Sequence, residues 1–102
     1  VYLGFPPQKK GRQTFWKELA EEAKTMVMYE SPHRINKALR EALETFGPER
    51  QACVAREISK LYETYHRGTI KELLAVGEEK AYKGEIVLMI EGKNQFEKRM
   101  KA

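Results

Sequence analysis

The run Thr25-Met26-Val27-Met28-Tyr29-Glu30-Ser31-Pro32-His33-Arg34 constrains this chain more than any other. A short apolar segment that suits a buried strand gives way at once to polar residues. An apolar stripe at helical spacing follows, made by Ile35, Ala38, Leu39, Ala42, Leu43 and Phe46. A strand running straight into an amphipathic helix commits the chain to a layered α/β architecture, because each element must bury one face against a common partner. Ser31 is placed to cap that helix. Pro32 suits its first position, where the missing N–H would have had no partner, and Gly47-Pro48 ends it.

The flanking sequence repeats the alternation. Residues 1–5 read as a short strand, and Pro6-Pro7 with Gly11 marks a basic loop carrying Lys9, Lys10 and Arg12. Phe15, Trp16, Leu19, Ala20 and Ala23 predict a helix running from Phe15 to about Ala23. Gln51 to Glu57 and Tyr62 to Arg67 predict two strands with a turn around Ser59. The spacing leaves no room for a crossover helix, so that pair is antiparallel. Thr69 and Glu72 have capping-box spacing and open a helix that ends near Gly77. Gly84 to Gly92 is apolar enough to be a central strand. The expected fold is α/β, a mixed sheet of about five strands flanked by helices. Residues 1–92 form one domain and 93–102 a basic tail that is frayed or weakly helical.

With 102 residues, 41% of them hydrophobic, the chain can build one core and not two. No run approaches the roughly 18 apolar residues of a membrane span, and Val1 to Phe5 lacks the flanks of a signal peptide, so a cytoplasmic protein with no membrane partner is expected. Because the chain starts directly in strand-like sequence, without methionine, it reads as a piece of a longer polypeptide. Cys53 is the single cysteine; within an apolar segment it predicts a buried core thiol, and it excludes an internal disulfide framework. Two histidines, no Gly-rich phosphate loop and no nucleophile elbow argue against a complete hydrolase or metalloenzyme, and no metal site is expected. A net charge of +4, from 19 basic and 15 acidic residues, is compatible with a polyanionic partner without establishing one.

Several residues carry chemistry, each with a plain structural alternative. The helix start after Ser31, with Arg34 beside it, offers N–H groups and partial positive charge to a phosphate or carboxylate, or is simply a capped helix. His33 sits where the helix dipole disfavours its charged form, so it suits substrate contact or structure better than proton transfer. Glu30 can act as a base or grip a ribose hydroxyl, or face solvent at a strand end. Arg56, Glu57 and Lys60 can position an anionic substrate or form an internal ion-pair cluster. Lys9, Lys10 and Arg12 are the candidates for flexible phosphate contacts. Tyr2, Phe5, Phe15 and Trp16 read as core or interface residues.

The ordered motifs also resemble a known family. Gly4-Phe5-Pro6-Pro7 with Lys9-Lys10-Gly11-Arg12, then Tyr29-Glu30-Ser31-Pro32-His33-Arg34, Phe46-Gly47 and Arg50, Ala52 through Glu63, Arg67-Gly68-Thr69-Ile70 and Lys83-Gly84-Glu85 are similar to the ribosomal RNA small-subunit methyltransferase I group of the tetrapyrrole (corrin/porphyrin) methylase superfamily. The resemblance spans residues 1–92 and covers only the C-terminal half of such an enzyme. It implies S-adenosylmethionine as cofactor, an N-terminal domain of the same polypeptide completing the cleft, a homodimer, and methylation of a cytidine ribose 2′-hydroxyl in small-subunit ribosomal RNA. It further implies cofactor contacts at Met28, Tyr29, Gly68, Thr69 and Ile70, and substrate contacts at Lys9, Lys10, Arg12, Ser31, His33, Arg34 and Arg56. Glu30, Glu57 and Lys60 remain as alternative bases. Two other readings stay open: methylation of a small tetrapyrrole, and a non-catalytic RNA-binding or dimerisation domain.

Overall fold

Alternating apolar residues in the strand segments require a sheet with one well-buried face. The computed structural model describes residues 1–59 and 62–101, with the side chains of 58, 59 and 62 excepted. Strands β1 (Tyr2–Gly4), β2 (Met26–Glu30), β3 (Gln51–Ser59), β4 (Tyr62–Thr69) and β5 (Glu85–Ile90) form one mixed sheet in the order β1-β2-β5-β3-β4. β1 and β2 are parallel, β5 runs antiparallel to both β2 and β3, and β3 pairs antiparallel with β4 as its spacing predicts. The expected five-stranded mixed α/β sheet is therefore present, with β5 at its centre. One row across it holds Glu30, Ile86, Arg56 and Thr64 in register.

Helices α1 (Arg12–Leu19), α2 (Ile35–Phe46) and α3 (Ile70–Glu79) are the three crossovers. The first two carry the chain across the sheet in one direction, and α3 returns between strands of the opposite sense. Right-handed connections then place all three on the same face. Met26, Met28, Val54, Leu88 and Ile90 meet Ile35, Leu39, Ile70 and Leu73 there, none more than 2% exposed. Each such side chain contributes about 1.5–3 kcal/mol by burial. The other face is bare: Val27, Cys53, Ala55, Val87 and Met89 are half-buried, and Tyr29 and Tyr65 are exposed. Cys53 is thus not the expected core thiol, because strand alternation turns it away from its buried neighbours Ala52 and Val54. Partial burial still pushes its thiol up, with Arg67 opposing.

Four local expectations are revised. Arg12 begins α1 rather than sitting on a free loop. Its Nε donates to Glu41 at 2.6 Å and its Nη1 to the Pro7 carbonyl at 2.7 Å. That helix stops at Leu19. The regular part of α2 starts at Ile35, because the carbonyl of Ser31, not its hydroxyl, accepts from the Arg34 and Ile35 N–H groups at 3.0 Å. Gly77 lies inside α3 instead of ending it. A Cβ there would overlap the Asn36 amide and come within 2.7 Å of the Tyr82 ring, so glycine permits the close approach of α2 and α3. The Thr69–Glu72 capping box forms as expected, with Glu72 Oε1 accepting the Thr69 N–H at 2.9 Å.

The tail is the fourth revision. Residues Lys93–Lys101 form α4, docked by N–H donation from Lys93 to the Glu22 carbonyl at 2.7 Å and from Asn94 to the Ala23 carbonyl at 3.2 Å. Arg99 forks onto Glu91 at 2.8 and 3.1 Å. The guanidinium of Arg50, only 5% exposed, lies 4.9 Å from the Phe46 ring centroid and 4.3 Å from that of Phe96. Charge and cation–π contacts hold this helix, so apolar periodicity does not reveal it.

Candidate functional site

Parallel strands β1 and β2 end on the same side, where β5 begins, and open-sheet α/β folds gather ligands beyond such carboxyl ends. A cleft of about 610 Å³ lies there, walled by Phe5, Tyr29, Glu30, Pro32, Glu85 and Ile86. Alternation along β2 sends Tyr29 to the bare face and Glu30 to the helix side. Tyr29 packs its ring against Phe5 at 5.6 Å and edge-on against Tyr2 at 5.7 Å. The three form an aromatic lip, Phe5 being 67% exposed.

Glu30 is the anomaly of the cleft. It is 5% exposed, its Oε1 accepts the Ser31 N–H at 2.9 Å, and its buried Oε2 has no hydrogen-bond partner. An unsatisfied buried acceptor costs on the order of 1–3 kcal/mol, a cost that a donor on a bound ligand removes. Beside it, on the bare face, a second hollow of about 240 Å³ shares Tyr29 and Glu85 with the first and adds Glu57, Glu63 and Tyr65. Glu57 stands in register between Glu85 and Glu63. Like charges directly opposite destabilise a sheet, so this rim favours cations and hydrogen-bond donors. Tyr65 donates to Glu63 Oε2 at 2.7 Å, and that hydrogen bond and the carboxylate charge raise the phenol.

The structure gathers Tyr29, Glu30 and Ser31 at one cleft and sets Glu57 next to it. His33 and Arg34 follow in the turn leading into α2. Met28 is fully buried in the core, so only its backbone is at the sheet. Gly68, Thr69 and Ile70 lie three strands from β2 and at the opposite end of their strand, about 20 Å from Glu30. There Thr69 caps α3, and Ile70, fully buried, donates its N–H to the Arg50 carbonyl at 2.9 Å. Arg12 is buried in an ion pair, whereas Lys9 and Lys10 are exposed on the loop. Arg56 falls on the helix-covered face, two strands from Glu30. Lys60 lies outside the described residues. Sequence reasoning missed Glu85 and Glu63, whose proximity to Glu57 depends on strand order; of the two readings of Phe5, core or interface, its exposure excludes the core. Among the described residues no helix is long and apolar enough to cross a membrane, and no group of three His, Cys, Asp or Glu side chains is arranged to hold a metal.

Comparison with known proteins agrees with the ordered motifs. A sequence model of the Tetrapyrrole (Corrin/Porphyrin) Methylases matches residues 2–74. The chain is 41% identical over 93 residues to a Streptococcus pyogenes serotype M3 protein named Ribosomal RNA small subunit methyltransferase I, covering 90% of this chain and 32% of that one. It is 37% identical to the Thermotoga maritima protein of the same name, covering 91% and 41%, and 40% identical to that of Escherichia coli O157:H7, covering 89% and 33%. The chain thus spans about a third to two fifths of the length of these curated relatives. Among solved structures, that of the methyltransferase CobJ superposes with a TM-score of 0.58 at 15% identity, over 91% of this chain and 41% of that one, which shows the shared fold. On the strength of the match to residues 2–74, the chain belongs to the tetrapyrrole (corrin/porphyrin) methylase family.

Proposed function

We propose that this chain is the C-terminal domain of a cytoplasmic, S-adenosylmethionine-dependent methyltransferase that modifies a ribose 2′-hydroxyl of a cytidine in small-subunit ribosomal RNA. The observation that carries the reading is its likeness, over nine-tenths of its length, to proteins named for that RNA. The cleft supplies a place for the chemistry.

The donor set at the strand ends suits the cofactor. Phe5 and Tyr29, their rings tilted 42° to each other, give an aromatic wall against which a base can pack. Glu30 Oε2 offers a buried acceptor for a hydroxyl or amine, and Glu57, Glu63 and Glu85 favour positive charge. When bound, S-adenosylmethionine supplies an electrophilic methyl group on a sulfonium. The chain's own work is to orient the ribose, exclude water and take a proton. A carboxylate at Glu30 or Glu57, or a neutral Lys60, takes it from the 2′-hydroxyl. Lys9, Lys10, His33 and Arg34 meet RNA phosphates around the mouth. The rest of the polypeptide closes the other side of the cleft, and two copies associate as a homodimer. The chain alone is then inactive.

Labelled methyl transfer from S-adenosylmethionine to purified small ribosomal subunits tests this, using the full-length polypeptide and this chain side by side. Label on a ribose with the full-length polypeptide and none with the chain supports the reading. Transfer to a corrin precursor but to no RNA overturns the substrate, and no transfer at all overturns the activity.

A further inference from the structure

Beneath the end of α3, on the helix-covered side, a hollow of about 360 Å³ shares only Arg56 with the sites described above. Arg56 and His66 reach it from β3 and β4. Lys80 and Lys83, both exposed, come from the segment joining α3 to β5. Tyr82, 3% exposed, forms part of the wall: its hydroxyl is committed to the Leu73 carbonyl at 2.7 Å, and its ring meets His66 edge-on at 5.3 Å.

Two features set this hollow apart from a patch of surface lysines. The Arg56 Nε and the His66 Nε2 are both buried, and neither has a hydrogen-bond partner. Among the described residues, no carboxylate lies within ion-pair distance of Arg56, Lys80 or Lys83, and the nearby Glu78 faces Arg40 at 3.8 Å. The C-terminal end of α3 opposes an anion, and Lys80 offsets that where it stands. Three further cationic or donor groups remain. An arginine with a free Nε presents the paired N–H edge that matches two oxygens of one phosphate, and an imidazole N–H supplies a third donor.

We propose that Arg56, His66, Lys80 and Lys83 form an anion pocket that holds a backbone phosphate of RNA. This rests on the RNA-directed reading above and adds a second point of attachment. In the sheet, Arg56 stands two strands from Glu30, about 10 Å away, so a strand seated at the cleft passes beside the pocket. The phosphate fixes the strand's register, while the cleft selects the ribose.

The test is fluorescence anisotropy of a labelled single-stranded RNA with the full-length polypeptide in the absence of methyl donor. It compares wild type, Lys80→Gln/Lys83→Gln, and Lys98→Gln/Lys101→Gln as an equal charge change on α4. The first pair should weaken binding about tenfold and lower the log–log salt slope by about 0.7 for each phosphate that is no longer neutralised. The second should leave both unchanged. Titration of inorganic phosphate should also move the His66 imidazole signals saturably. Equal losses in both pairs, or an unmoved His66, overturn the pocket. A phosphate-responsive His66 with unaltered RNA binding overturns the RNA assignment and leaves a free-phosphate site. Because no methyl donor is present, failure here and failure of the methyl-transfer reading are separate results.

Discussion

Replacing Gly92 with alanine should destabilise the chain more than a single methyl group suggests. A Cβ at this position would overlap the backbone of Ala23 and Lys24, carbonyl oxygens included. No rotamer change relieves a clash with backbone, so the 23–24 segment and the start of α4 must separate. That separation breaks the bonds from the Lys93 N–H to Glu22 and from the Asn94 N–H to Ala23. Each is worth about 1 kcal/mol net. Overpacking adds about 1–3 kcal/mol. The sum is about 4 kcal/mol, which for a domain of this size lowers Tm by about 20 °C. Urea unfolding of wild type and Gly92→Ala, with equal m values, measures the loss directly. A difference below about 1 kcal/mol would refute the docking of α4 as described.

Gly77→Ala should cost less, about 1 kcal/mol net, because Asn36 and Tyr82 can yield and alanine regains about 1 kcal/mol of helix propensity; thermal unfolding checks it, and a stabilised variant contradicts the close α2–α3 contact. Burial pushes the Glu91 carboxyl up, but hydrogen bonds from Arg99 and the Gln51 N–H outweigh it, leaving the group below the ordinary range. Its contribution is therefore present above an unfolded value of about 4.3 and is lost as pH falls through the folded value. Urea midpoints at pH 6 and pH 3 should drop further for wild type than for Glu91→Gln, and parallel drops contradict the pairing. In the Arg12–Glu41 pair, the side chains are 6% and 29% exposed. Glu41→Gln strands the more buried charge and should cost about 3 kcal/mol, against about 2 for Arg12→Met; the reverse order in calorimetric unfolding would overturn this account.

The sheet was legible because its strands carry period-two patterns and its crossovers leave few topologies. Met26–Glu30 and Ile35–Phe46 stand within a few residues of where their spacing puts them. What the pattern does not carry is the bare face, which follows from three connections sharing one hand, and so Cys53 looks like a core residue in sequence. Helix α4 escapes because Arg50, Arg99 and Glu91 hold it rather than an apolar stripe. The candidate site is half visible. Tyr29, Glu30 and Ser31 adjoin in sequence, whereas Glu57, Glu63 and Glu85 come together only through the order β5-β3-β4. The cofactor contacts at Gly68 to Ile70 come from the family resemblance rather than from any pattern in the residues, which by spacing alone announce only the helix start that Thr69 caps.

The central claim is that the cleft at Tyr29 and Glu30 holds the methyl donor. Calorimetric titration of S-adenosylmethionine into the full-length polypeptide, wild type against Glu30→Gln, tests it most directly. Loss of a hydrogen bond to a charged acceptor predicts a Kd at least about tenfold weaker. An unaltered Kd would place the cofactor elsewhere.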